Sequence, residues 1–342
     1  MLTNFSSAVF TYASQCSRAA TEMDALVAHT VVCCRASTGN PSKSSPWLAK
    51  QSRKGKFTTA RFHYPVAKEV DGMTQTDYTI FALTPDKQAV YHFHNGEWIE
   101  IGGPASQLYG GDWGLVATNP GNGDLWKYLG VPGKWEQIGG PGASFAVTNE
   151  SVYGLTPNKG AVFRYNGSGQ NWTQVGGPAA EIYAGNWGVV ATNPSNGNLF
   201  RYLGVPEKWE QIGGPGASFA VTNESVYGLT PNKGAVFRYN GSGQNWTQIG
   251  GPAGQIYGGS WGVLATNPSN GELFAYQYHD PSDNPEPASW NHIGGPGSSF
   301  AVGYYTVYGL TPDKSAVWRY DDGPWTKVGG PADSIVAALW IG

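Results

Sequence analysis

Residues 139–175 read GGPGASFAVTNESVYGLTPNKGAVFRYNGSGQNWTQV, and residues 213–249 repeat that string with one change, Ile249 for Val175. A unit of 37 residues copied this closely is the mark of stacked supersecondary elements. Inside it, the segments 144–147, 151–156, 161–165 and 171–175 are short and β-rich, and Asn, Gly or Pro turns separate them. The pattern predicts a four-stranded antiparallel meander. In the third segment Ala161, Phe163 and Tyr165 alternate with Val162 and Arg164, and apolar groups on both faces suit a blade covered on each side by a neighbour.

Outward from this unit, Gly-Gly-Pro recurs at Gly102, Gly139, Gly176, Gly213, Gly250, Gly294 and Gly329. A second unit type, GGPASQLYGGDWGLVATNPGNGDLWKYLGVPGKWEQI at 102–138, alternates with the first. Gly-Gly-Pro is expected at the crossing between blades, with Gly supplying positive φ and Pro dispensing with an unpaired donor. The segment from Asp77 to Ile101 lacks a first strand, and the C-terminal GGPADSIVAALWIG contains one. Ser334 to Leu339 would complete that first blade, closing the ring without an exposed edge. The expected fold is therefore all-β, a seven-bladed β-propeller of four-stranded antiparallel blades closed by the C-terminal strand. An open solenoid would need polar caps that the sequence does not show.

Composition agrees. The 342 residues include 49 Gly and 23 Pro, a mixture that feeds turns and starves long helices. Residues 1–56 form a basic, Ser/Thr-rich extension, compatible with a transit peptide and equally with a disordered or misassigned N-terminus; residues 57–342 carry the propeller. Cys16, Cys33 and Cys34 all fall in the extension, so no disulfide framework is expected in the repeats. The acidic body lacks the Lys/Arg surface that phosphate neutralisation needs, which argues against nucleic acid as a partner. Neither a secretory signal nor a membrane span is read. A cytoplasmic or non-classically secreted protein is expected, with organellar import left open.

The recurring W-x-Q-[IV]-G-G-P, followed by V-Y-G-L-T-P and a strand ending in R-Y, resembles the tectonin repeat of tectonin and tachylectin-type propeller lectins. Trp135, Trp172, Trp209, Trp246, Trp290 and Trp325, Tyr153, Tyr227 and Tyr308, and the Arg-Tyr pairs at Arg164, Arg238 and Arg319 carry the likeness. The resemblance implies carbohydrate binding without catalysis, at several equivalent sites. Glycans on cell or foreign surfaces would then be the partners. The sequence does not read out the sugar or the oligomeric state.

Three sets of residues are candidates for ligand contact. Trp113, Trp187 and Trp261 follow Gly-Asp, Gly-Asn and Gly-Ser at a turn, where they would either line a site or cap the blade. Asn119, Asn193 and Asn267 stand in Ala-Thr-Asn-Pro turns on the face of Gly-Gly-Pro; Asn before Pro is turn chemistry first, and a ligand donor second. Lys87, Lys159, Lys233 and Lys314 occupy the matching turn of the other unit type. Arg164, Arg238 and Arg319 would bond sugar hydroxyls or stack on a neighbouring blade's aromatic ring. The Trp before each Gly-Gly-Pro reads as inter-blade packing. The insertion His279 to Ser289 breaks the symmetry.

Catalysis finds little support, because the 6 His do not recur at equivalent positions or pair with a nucleophile by motif. His92 and His94 share a strand face but have no third ligand in sight, and no cofactor or metal is expected. Two rival functions remain beside the lectin, a protein-interaction scaffold and, more weakly, a hydrolase or lyase using the central channel.

Overall fold

A computed structural model describes residues 76–277, 289–304 and 306–341. The basic extension, the three cysteines, His29, His63 and His279 lie outside the described residues. The described strands form seven four-stranded antiparallel sheets. The repeat at 139–175 shows how: strands Ser144–Val147, Val152–Leu155, Val162–Tyr165 and Trp172–Gly176 pair in sequence order. The pleat sends alternate side chains to different neighbours, and a bulge between Val162 and Phe163 shifts the pairing with the outer strand by one residue. Tyr165 packs towards the preceding blade and Val162 towards the following one.

Closure is as the termini require. Strand Ser334–Ile341 pairs antiparallel with Thr76–Leu83, from Ser334 opposite Leu83 to Ile341 opposite Thr76, and forms the innermost strand of the first blade. The seven inner strands touch in succession around the ring, and the closing strand contacts those of the second and seventh blades. No sheet needs a cap.

Gly-Gly-Pro serves a different end from the one expected. None of the seven Gly-Gly pairs has positive φ. The first Gly of each instead makes room for the next blade's outer-strand Trp, to which a Cβ would approach within 2.6–3.1 Å. That Trp donates its Nε1–H back to the carbonyl just before the glycine, as Trp172 does to Ile138 at 2.6 Å and Trp209 to Val175 at 2.7 Å. The same bond recurs from Trp98, Trp135, Trp246, Trp290 and Trp325. Seven Trp bolts thus join seven blades, each combining a partly buried aromatic with a satisfied indole N–H.

The inner strands of the second, fourth and sixth blades are equally tight. A Cβ on Gly111 would lie 2.8 Å from the Val147 carbonyl oxygen, and one on Gly185 2.7 Å from that of Val221. These glycines let the ring close around a narrow channel.

Candidate functional site

The propeller has two unlike faces. One carries the Gly-Gly-Pro crossings together with the turns between second and third strands, and the other carries the first and third hairpin turns. On the crossing face, the two unit types differ in one coordinated exchange. The unit at 139–175 places Phe145 over Gly142 and Gly154, where a Cβ would meet the ring at 2.6 and 2.9 Å. Phe219 and Phe300 sit over their glycines in the same way. In the other type an aliphatic residue, Leu108, Ile182 or Ile256, replaces Phe, and Ala replaces both glycines. The first blade has the turn of one type and the packing of the other, with Ile335, Ala332 and Ala82.

Where the inner residue is Ile182 or Ile256, a groove opens between blades. Between the third and fourth blades it is lined by Pro178, Thr192, Asn193, Phe200 and Trp209, with about 170 Å³ of space. Between the fifth and sixth it is lined by Pro252, Thr266, Asn267, Phe274 and Trp290, with about 240 Å³. Both are smaller than the roughly 300–1,000 Å³ of a drug-sized site, and suit one ring rather than a large ligand.

The asparagines of these grooves hold their turns and border open space. Asn193 Oδ1 accepts from the Ser195 amide at 2.8 Å, and Asn267 Oδ1 from Ser269 at 2.8 Å, which fixes each turn. The side-chain NH2 of each makes no hydrogen bond among the described residues, and both asparagines line their grooves. Asn119 holds its turn likewise, through Gly121 N–H at 2.7 Å. At the first blade Thr84 stands in the Asn position, and its Oγ1 is taken up by the amides of Gln88 and Ala89. The Lys turns are structural: Lys87, Lys159, Lys233 and Lys314 have φ of 57–61° and their carbonyls accept from the next blade's Ala.

The other candidates lie elsewhere. Trp113, Trp187 and Trp261 sit on the hairpin face, partly buried, and meet the next blade's Tyr165, Tyr239 and Tyr320 edge-on, at 5.6, 5.7 and 6.3 Å. Their backbone N–H groups donate across the same seam to Thr148, Thr222 and Gly303. Lys127 Nζ stands 3.9 Å above the Trp113 ring. Arg164 and Arg238 hydrogen-bond Tyr153 and Tyr227, each of which faces a tyrosine of the next blade edge-on, while Arg319 pairs with Asp321 at 2.7 Å. The three sets do not converge on one site. His92 and His94 stack at 5.5 Å, and His92, buried against Phe81, is held down to about 4 by burial first and His94 second.

One constellation was not anticipated. The residues before the three hairpin-face Trp, namely Asp112, Asn186 and Ser260, meet across the channel. Asn186 Nδ2 and Ser260 Oγ both donate to the Asp112 carboxylate, the latter at 3.3 Å. Burial raises the Asp112 pKa, and the two donors partly offset it. They border a well of about 230 Å³ whose lining holds no basic side chain. The aromatic floors of the grooves are a feature the sequence analysis does not reach, because the Trp before each Gly-Gly-Pro reads first as inter-blade packing and Trp209 and Trp290 both pack and line a groove. The alternation of Phe200 with Leu199 and Arg201 is the sequence signal that could have pointed there.

A closed ring of seven four-stranded blades defines the class, a seven-bladed β-propeller. Residues 178–339 match the Tectonin domain, and the same repeat running through the earlier blades of the closed ring supports a tectonin-type β-propeller family. No curated protein matches the chain. Among solved structures, the CRINKLY WD40 ectodomain of the Arabidopsis thaliana receptor kinase ACR4 is similar at 13% identity and TM-score 0.50, over 75% of this chain and 95% of that one. Apo AztD from Citrobacter koseri is similar at 14% identity and TM-score 0.42, over 78% and 99%. At such identities the likeness concerns the fold.

Proposed function

We propose that the protein is a carbohydrate-binding propeller, a binder rather than an enzyme, that takes one sugar ring into each open groove of its crossing face. The observation that carries this reading is the recurrence of one groove in two places, each pairing aromatic rings with an uncommitted amide NH2. An apolar sugar face stacks on aromatic carbons, and an amide donates to its hydroxyls. Each contact is modest, and two sites on one rigid ring turn weak binding into avidity on a dense glycan surface. The test is a glycan-array screen of the full chain beside the Asn193→Ala/Asn267→Ala double variant. Signal competed by the free sugar and lost in the variant supports the reading, and a blank array from folded protein refutes it.

A protein-interaction scaffold has one observation in its favour. On the hairpin face Leu129, Val131, Leu203 and Val205 are 47–54% exposed, in two copies of a Leu-Gly-Val-Pro turn. Retention of a defined protein that survives free sugar but is lost in Leu203→Ser/Val205→Ser would favour it.

A further inference from the structure

The three alternating units of the second type should give three equal grooves, yet their floors differ. Phe200 and Phe274 occupy the third strand where the groove is open, and Trp126 stands at the same position in the second blade. The registers match: Trp126 lies opposite Ala117 and Gln137, Phe200 opposite Ala191 and Gln211, and Phe274 opposite Ala265 and His292. Trp126 is larger than Phe by a fused ring, between walls built from the same Pro, Ala, Thr and Trp as the open grooves. Its Nε1 is shut off from solvent and has no hydrogen-bond partner among the described residues. An indole N–H reaching into an open groove would be wetted. A sealed one marks a ring that fills the space it enters.

We propose that Trp126 closes the groove at Asn119, so that the ring presents two open grooves, at Asn193 and Asn267, rather than three. Valency is then set by one side chain on one strand. The seam between the seventh and first blades adds no third groove of this kind, since Thr84 and Tyr91 replace the Asn and Phe, and both are engaged, Tyr91 with Glu100 at 3.0 Å. Trp126→Phe would restore the floor of the open grooves. Phe200→Trp would close one of them. The proposal takes the nature of the natural ligand from the carbohydrate reading, but the accessibility of each groove is independent of it.

Crystals of the full chain, of Trp126→Phe and of Phe200→Trp would be soaked in 2-propanol, a probe with one hydroxyl and two methyls, and the grooves scored for bound alcohol. Two occupied grooves are expected in the wild type, three in Trp126→Phe, and one in Phe200→Trp. Titration with the best array glycan should follow the same numbers. Alcohol beside Asn119 in the wild type, or an Asn193 groove that still fills in Phe200→Trp, overturns the proposal. The second variant decides the matter even if the first does not fold. Alcohol following the expected pattern with no glycan bound would uphold the groove count and sink the carbohydrate reading instead.

Discussion

The third and fourth blades are neighbours with the same strands, the same Trp bolt and the same crossing, yet one is sealed and the other carries a groove. The difference is where a ring is spent. In the third blade Phe145 leans over two glycines and against Trp172, their rings 6.5 Å apart, filling its crossing-face edge from within. In the fourth, Ile182 is too short to do so, alanines replace the glycines, and Phe200 and Trp209 are left lining open space. Sealing and opening use equivalent positions, so the alternation of units is an alternation of purpose.

The largest expected effect separates the two roles of the Trp bolt. Trp172→Ala and Trp209→Ala should each cost about 3–5 kcal/mol in denaturant unfolding, through lost burial and an orphaned carbonyl. Only Trp209→Ala should also lose ligand at its groove; equal loss in both would erase the distinction between blades.

Gly154→Ala should come next, at about 1–3 kcal/mol, because the new Cβ would meet Phe145 at 2.9 Å. Adding Phe145→Ile, which copies the fourth blade, should recover most of that loss in thermal melts. A double variant no better than the single one would break the account of the exchange.

Asn193→Ala sharpens the comparison at the ligand. It should weaken its own groove by roughly tenfold, about 1.4 kcal/mol for one donor, and leave the Asn267 groove intact in calorimetric titration. Its effect on stability should be about 1 kcal/mol, the worth of the turn bond to Ser195.

The smallest effect concerns the channel, where only blades of the second unit type contribute Asp112, Asn186 and Ser260. The Asp112 pKa is raised above 3.8 by burial. The folded state therefore holds that proton more tightly than the unfolded chain. Its stabilising contribution is full below pH 3.8 and is lost as pH rises through the folded value. Asp112→Asn does not titrate, so its stability relative to wild type should improve as pH climbs through that window. A constant difference between pH 3.5 and 7 would show that the carboxylate is solvated.

The lesson about legibility follows from these particular residues. Strand number, blade number and closure were readable because a near-perfect repeat and a split first blade leave little freedom in topology. The Trp before Gly-Gly-Pro was rightly seen as packing, but the glycine's purpose was not, since a close approach is invisible without the partner. Among the candidates, Asn119, Asn193 and Asn267 were placed on the correct face, and turn chemistry and groove lining proved compatible in Asn193 and Asn267. Trp113, Trp187 and Trp261 meet the next blade's tyrosines, a contact that spans some 50 residues of chain.

By itself the sequence determined the repeat, its strand period and the non-covalent closure, because these are local patterns and their order along the chain. Tertiary structure alone decided which grooves stand open and that Asp112, Asn186 and Ser260 meet. Both depend on distances across blades, 74 positions apart for Asp112 and Asn186, that no local pattern encodes.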